Sequence, residues 1–371
     1  MEKVIVGMSG GVDSSVSAFI LKNQGYDVEG VSFILYDENI SIDSVPCLTS
    51  QSSCLPQSIQ EASKTASYIG IPHTVIDLRK DFLKKIIQPF VKAYIRGSTP
   101  NPCILCNRFI KFPILLKEAN KRCAQYIATG HYARVEKSQK SKVKSQKLLK
   151  DILLLKRGVD TKKDQSYFLY VLTQEELKRL ILPLGSLRKS EVRHIASKLK
   201  LHAAQRPESQ EICFIKDQNY ANFIEGFGLL KGKPGHIIDM CGNILGTHKR
   251  IYSYTIGQRK GLGISSPKPL YVVNIDTTTN TIQVGPRESA KKKEFYVRDV
   301  NWIIPPSSEK LIVSVKVRSM MKDEPATLFF VSSKNNTCVK VVFDKTQWAP
   351  APGQSAVFYD GNSVIGGGVI I

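Results

Sequence analysis

The stretch TPNPCILCNRFIKF, Thr99 to Phe112, sets two thiols three residues apart behind two prolines. A CxxC pair such as Cys103 and Cys106 can grip a metal, cycle as a disulfide, carry sulfur to a substrate, or do no chemistry. Structural zinc is disfavoured, because the second CxxC that would complete a four-cysteine site is missing. A thioredoxin-type redox pair is disfavoured by Pro102 and by the lack of the expected helix-start setting. In any reactive role the thiolate is the working species, and Arg108 and Lys111 are cations near in sequence that would favour it.

The second chemical feature is GMSGGVDSS, Gly7 to Ser15, between an apolar run and a helical pattern. Glycines there let the chain turn sharply and bring backbone N–H groups to phosphate oxygens. The following helix turns its positive end to the same anion. Ser9, Ser14 and Ser15 add hydroxyl donors, and Asp13 offers a carboxylate for magnesium. No lysine follows the glycines, so the Walker pattern GxxxxGK[ST] is absent and this is a different phosphate loop.

These residues need a scaffold, and the chain supplies a regular one. KVIVGMSG, VEGVSFIL, IPHTVIDL and QYIATGHY read as strands, with helical stretches between them. The first helix carries Val16, Phe19 and Ile20 at helical spacing and stops at Gly25. That order predicts an α/β fold: a parallel sheet covered by helices, with ligands beyond the strand carboxyl ends. From about Lys233 the pattern changes. PLYVVNIDTTTNTIQVG reads as a hairpin, and Val313, Val315 and Val317 alternate with other residues. ATLFFVSS, CVKVVFD and SAVFYDGNSVIGGGVII follow, the last with Asp360-Gly361 as a tight-turn signal. Short strands at this spacing predict a small barrel or sandwich.

Composition sets limits. At 371 residues with 42% apolar content the chain fits two or three globular domains, and no apolar run is long enough for a membrane span. MEKVIVGMSGG lacks the apolar core of a signal peptide, so a cytosolic location with reduced thiols is expected. Lys and Arg number 53 against 32 acidic residues, and a net charge of +21 attracts polyanions, nucleic acid first. Residues 137–150 hold six lysines and no acid and read as an exposed loop. Cys47, Cys54, Cys123, Cys241 and Cys338 carry no motif and read as inert.

SGGVDSS, STPNPCILCNRFIKF, ATGHYAR, KDQSYFLYVL, ESQEICFI and SYTIGQRKGLGI, taken in order, resemble the tRNA-specific 2-thiouridylases. Their phosphate loop is of the N-type ATP pyrophosphatase kind. The resemblance runs from Val4 to APGQSAVFYDG at Ala351 to Gly361. It implies an ATP-binding catalytic domain over residues 1–207, a central tRNA-binding domain over 208–285 and a C-terminal β-barrel over 286–371. It also implies that ATP, with Mg2+, adenylates the C2 oxygen of the tRNA wobble uridine before sulfur replaces it. Cys213 would then carry sulfur as a persulfide received from a donor protein, and Cys106 would be the partner nucleophile.

By the same resemblance Gly7, Met8, Ser9, Gly10, Gly11, Val12, Asp13, Ser14, Phe33 and Gly130 bind nucleotide. Asn101, Pro102 and Cys103 meet the target base. His131, Lys163, Asp164, Gln165, Arg318, Ser319 and Gln354 contact tRNA, although the family usually has Arg-Tyr where this chain has Arg318-Ser319. A sharper departure lies at NPCILCN, where the commoner family form is NPDxxCN and Cys103 replaces an aspartate. Cys103, Cys106 and Cys213 then make three thiols, the number with which some related RNA thiolases hold a [4Fe–4S] cluster with one open iron. Direct persulfide relay and cluster-assisted transfer are both carried forward. An amidoligase of the same loop class leaves the two thiol motifs without work, and a bare RNA-binding module leaves SGGVDSS without work.

Overall fold

The computed structural model describes residues 1–36, 55–138, 152–201, 212–215, 220–227, 232–333 and 336–371. Cys47, Cys54 and nearly all of the lysine-rich 137–150 stretch lie outside these residues. The N-terminal half is built on β1 (Lys3–Gly7), α1 (Val12–Asn23), β2 (Asp27–Ile34), α2 (Gln57–Ile69) and β3 (His73–Asp77). After two helices, α3 (Arg79–Phe82) and α4 (Gln88–Ile95), come α5 (Pro102–Cys106), α6 (Phe112–Lys121) and β4 (Tyr126–Ala128). A hairpin of β5 (Ala133–Lys137) and β6 (Leu153–Arg157), then α7 (Gln174–Lys178), β7 (Leu180–Ile181) and α8 (Lys189–Lys198), complete this half. The sheet order is β3-β2-β1-β4-β7, and every pairing is parallel, as the βα alternation predicts.

β1 reads as a continuous apolar run because helices cover both sheet faces: Val4, Ile5 and Val6 have no solvent exposure. The carboxyl end of β1 leads into the glycine loop, and that of β4 leads into Thr129-Gly130-His131. The two ends are neighbours because β1 and β4 pair directly, Val6 opposite Ala128. This edge of the sheet is where the site forms.

The central unit follows α9 (Tyr220–Gly226). It is a four-stranded sheet of β8 (Gly235–Ile238), β9 (Ile244–His248), β10 (Tyr271–Asp276) and β11 (Thr281–Gly285), in the order β10-β11-β8-β9. The hairpin expected in PLYVVNIDTTTNTIQVG is the antiparallel pair β10–β11.

The last unit has six strands: β12 (Lys291–Trp302), β13 (Lys310–Lys316), β14 (Glu324–Ser333), β15 (Asn336–Trp348), β16 (Ser355–Asp360) and β17 (Ser363–Ile370). They run β12-β15-β14-β13-β16-β17, and β12 also pairs with β17, which closes a barrel. Leu311, Val313 and Val315 point into its core, while Ile312 between them is 71% exposed, the period-two alternation of a strand with one buried face. One connection has no signature in the sequence. β6 of the N-terminal half pairs with β17, Val364 opposite Leu155, so the barrel sheet continues into the N-terminal unit.

Candidate active site

At the phosphate loop the chain leaves β1, reverses through Gly10 at φ +75 and enters α1 from Gly11. Ser14 folds back on the loop. Its hydroxyl accepts from the Ser9 N–H at 3.1 Å and donates to the Gly11 carbonyl at 3.1 Å. Met8 is fixed to β2 by its N–H on the Val31 carbonyl and by the Ser32 hydroxyl on its own carbonyl. Gly130 lies against the same turn, where an added Cβ would stand 2.8 Å from the Asp13 carbonyl carbon. Only glycine lets β4's exit approach that closely. Phe33, at the carboxyl end of β2, is partly buried against two apolar clusters. Thus Gly7 to Ser14, Phe33 and Gly130 converge on one edge of the sheet.

The thiols are placed by helix geometry and by aromatic packing. Asn101 caps α5, its side-chain oxygen accepting from the Cys103 and Ile104 N–H groups at 3.2 and 3.4 Å. Pro102 occupies the first turn, where a missing N–H costs nothing. CILC therefore does begin a helix, contrary to the sequence expectation. Immediately after Cys106 the helix widens into a π-turn over Asn107–Lys111. Cys213 sits in a tight turn closed by the Ile215 N–H on the Ile212 carbonyl. Its neighbour Phe214 anchors that turn edge-on to Phe82 and Phe90, at 5.6 and 5.4 Å. Cys106 belongs to the same buried cluster, so apolar packing brings together two thiols more than a hundred residues apart.

Cys103, Cys106, Cys213 and Lys111 lie within electrostatic reach of one another. Burial, then the neighbouring Cys103 and Cys106, push the Cys213 thiol up to about 12, with Lys111 pulling the other way. Burial also raises Cys103 and Cys106, and Lys111 again opposes it. Lys111 itself is pushed down by burial, but the combined pull of the three sulfurs outweighs this and leaves it raised. Its charge is thus coupled to all three sulfurs. Arg108, the other expected cation, lies against the Phe109 ring at 5.3 Å instead.

Lys111→Met is expected to slow sulfur transfer at neutral pH by about tenfold to a hundredfold, the range for one charge-assisted contact. Without the ammonium the thiols need a higher pH to ionise, so the rate should recover as pH rises. Thermal stability should hold or improve, because a buried charge is replaced by an apolar chain. A pH–rate profile identical to wild type would remove Lys111 from the sulfur chemistry.

His131 completes the group. Its Nδ1 is 2.8 Å from the Thr129 hydroxyl, and its ring stacks on Phe112 at 5.9 Å. Burial and then Lys111 push its pKa down to about 3, so it is neutral at physiological pH. Among the described residues no group of three His, Cys, Asp or Glu side chains is arranged to hold a metal ion. Cys103, Cys106 and Cys213 are thus not gathered around a single-ion site. All three are free thiols.

A family profile described as a tRNA methyl transferase HUP domain matches residues 2–217. Profiles described as a tRNA methyl transferase PRC-barrel domain and an aminomethyltransferase beta-barrel domain match residues 222–286 and 292–370. The tRNA-specific 2-thiouridylase MnmA of Clostridioides difficile (strain 630) is 44% identical over 372 residues, covering 100% of this chain and 98% of the relative. MnmA 2 of Thermoanaerobacter sp. (strain X514) is 46% identical, covering 99% of this chain and 97% of the relative. MnmA of Halothermothrix orenii is 44% identical, covering 100% and 99%. The chain belongs to the tRNA-specific 2-thiouridylases.

In this thiouridylase the residues expected to meet tRNA have varied surroundings. Asp164 accepts from the Gly158 and Ser166 N–H groups, both at 3.1 Å, and its side chain is 4% exposed. The Gln165 side-chain oxygen accepts from the Tyr132 N–H at 3.0 Å. These two shape the turn that presents Lys163. Arg318 donates from Nη2 to the Ile256 and Ala349 carbonyls at 2.8 and 3.1 Å, tying the central unit to the barrel. Ser319, next to it, is partly exposed. Gln354 donates to the Thr99 carbonyl at 3.0 Å, and the Thr99 N–H donates to the Pro352 carbonyl at 2.8 Å. The barrel thus braces the strand of chain that leads into Asn101, Pro102 and Cys103.

Sequence reasoning missed two residues at the phosphate loop. Lys189 and Tyr132 both bond to Asp13, at 2.7 Å each. Tyr132 lies in ATGHYAR two residues from Gly130 but carried no role of its own, and Lys189, outside every quoted motif, is 176 residues from Asp13 along the chain.

Proposed function

We propose that this chain thiolates C2 of the wobble uridine in tRNA by direct persulfide relay through Cys213 and Cys106. Sulfur transfer to tRNA uridine is the activity of its family, and the chain is a tRNA-uridine 2-sulfurtransferase of that kind. The observation that carries the relay is the junction of the two chemistries. The Gly130-His131 segment touches Asp13 and Ser14 of the phosphate loop on one side and shares the field of Lys111 on the other.

ATP supplies the leaving group. The uridine C2 oxygen attacks the α-phosphorus, pyrophosphate departs, and the oxygen becomes part of an adenylate. The loop N–H groups and the positive end of α1 would hold the phosphates, and Asp13 would hold the Mg2+ that offsets their charge. Sulfur arrives on Cys213 as a persulfide from a donor protein in the cytosol. A resting Cys213 thiol at about 12 is protonated at neutral pH, whereas the outer sulfur of a persulfide ionises more readily. That outer sulfur attacks C2 and AMP leaves. The Cys106 thiolate then attacks the Cys213 sulfur, which frees the thiocarbonyl and leaves a Cys106–Cys213 disulfide for an external dithiol to reduce. In the other order, Cys106 attacks first and hydrosulfide adds to C2; the same disulfide results.

A uridine stacked in the anticodon loop cannot present C2 to both groups, so the base must swing out towards Asn101, Pro102 and Cys103. The net charge of +21 supports the phosphate contacts that position the tRNA, with His131, Lys163, Asp164, Gln165, Arg318, Ser319 and Gln354 along its path. Being neutral, His131 would serve by stacking or hydrogen bonding and not as a cation.

The test is anaerobic thiolation of tRNA by wild type and Cys103→Asp, with iron measured in both. Iron-free wild type forming one AMP per thiouridine, with activity retained in Cys103→Asp, is the expected result. It would mean that Cys103 stands where the family uses an aspartate. Iron bound by wild type and lost with activity in Cys103→Asp would overturn the relay in favour of a cluster. Loss of activity without iron in either protein would give Cys103 a thiol role of its own. ATP consumption with a small amine and no tRNA would instead indicate an amidoligase.

A further inference from the structure

The phosphate loop has no lysine of its own, yet one is built into it from α8. Lys189 opens that helix, and its Nζ lies 2.7 and 2.8 Å from the two carboxylate oxygens of Asp13. Its N–H is fixed on the Asp160 carboxylate at 3.0 Å. Val192 and Ala196 of α8 pack with Val16 of α1 in one buried cluster, which holds the two helices together. The ammonium stands 5.6 Å from the centre of the Tyr132 ring, and the Tyr132 hydroxyl donates to Asp13 Oδ1 at 2.7 Å.

The electrostatics of this placement are unusual. The Lys189 side chain is only 11% exposed, against 35% for Asp13. A cation beside the first turn of α1 faces the positive end of that helix, where an anion is favoured and a cation is not. Asp13, in that first turn, supplies balancing charge. The backbone N–H groups of the loop, the helix end and the Lys189 ammonium converge on one spot, opposed by the Asp13 carboxylate and, at the Lys189 N–H, by Asp160. A polyphosphate is the ligand that several convergent donors of this kind fit.

We propose that Lys189 is the phosphate-binding lysine of this loop. In the nucleotide-free protein Asp13 holds its ammonium. When ATP binds, a β- or γ-phosphate oxygen takes Asp13's place as its partner, and the Asp13 carboxylate turns to the accompanying divalent cation. This assignment rests on the nucleotide reading given above, and it explains how a loop without the Walker lysine neutralises the pyrophosphate leaving group.

Calorimetric binding of MgATP and of AMP to wild type, Lys189→Ala, Lys189→Met and Lys189→Arg separates the cases, with thermal melting of each. Lys189→Ala is expected to weaken MgATP by about tenfold to a hundredfold, the range for one charge-assisted hydrogen bond. AMP, which lacks the β- and γ-phosphates, should bind as before, and Lys189→Arg should regain much of the loss. Lys189→Met keeps the aliphatic stem over Tyr132 and gives the same comparison should the alanine variant melt too early. Equal weakening of ATP and AMP, or no weakening of either, would overturn the assignment and leave Lys189 as a structural partner of Asp13. Wild type that binds no ATP would overturn the nucleotide reading itself, and Lys189's role with it.

Discussion

Cys213→Ala is expected to abolish thiouridine formation, a loss of at least about a thousandfold, because removing a covalent nucleophile leaves no alternative carrier. ATP should bind to this variant as to wild type, since Cys213 lies among the thiols and Lys111 and bonds to nothing in the phosphate loop. Stability should change by no more than about 0.5 kcal/mol, as for a surface substitution. The turn that carries Cys213 is held by the burial of Phe214 and Ile215; Cys213 keeps solvent access over part of its surface, although the protein crowded around its sulfur desolvates the thiol. The measurement is thiouridine content of tRNA after a single turnover, alongside nucleotide affinity and a melting curve. Thiolation retained in Cys213→Ala would falsify the persulfide assignment. Thiolation and folding lost together would show the residue to be structural, against what its exposure implies.

Gly10→Ala should be the most damaging single methyl in the phosphate loop. Gly10 has φ +75, a region that costs a residue with a Cβ roughly 1–3 kcal/mol. The added Cβ would also stand 2.0 Å from the Ser58 carbonyl oxygen, which belongs to the backbone of α2 and cannot rotate away. The loop or the helix must move. MgATP affinity is expected to fall by more than about a hundredfold, because the loop's N–H donors lose their common focus. Gly25 is the control: it has a similar φ of +87, but nothing lies within 4 Å of its added Cβ. Gly25→Ala should cost only backbone strain, with nucleotide affinity preserved. Similar affinity losses in both variants would mean that the close approach to Ser58 is not what shapes the loop.

The division between what could be read and what could not follows from the range of the forces involved. Strand and helix periods, the glycine turn and the CxxC spacing are local, so β1, the loop at Gly7 to Ser15 and the pair Cys103 and Cys106 were legible residue by residue. Helix capping is local too, but Asn101 at the head of α5 was overlooked, and the helix start at CILC with it. Arg108 and Lys111 were equal candidates on charge and proximity. They diverge because the π-turn after Cys106 and the packing around it send one to Phe109 and the other to the thiols.

By itself the sequence determined the α/β order, the phosphate loop, the barrel strands and, through ordered motifs, the family, and it singled out Cys103, Cys106 and Cys213 as the candidate site thiols. Only the tertiary structure decided which groups meet. Lys189 reaches Asp13 because α8 packs on α1, Cys213 reaches Cys106 because Phe214 is buried among Phe82 and Phe90, and Gln354 braces Thr99 because the barrel closes against the catalytic domain. Each of these meetings joins residues far apart in the chain. Each is fixed by apolar burial and sheet pairing elsewhere in the molecule, terms that no local pattern around the functional residue contains.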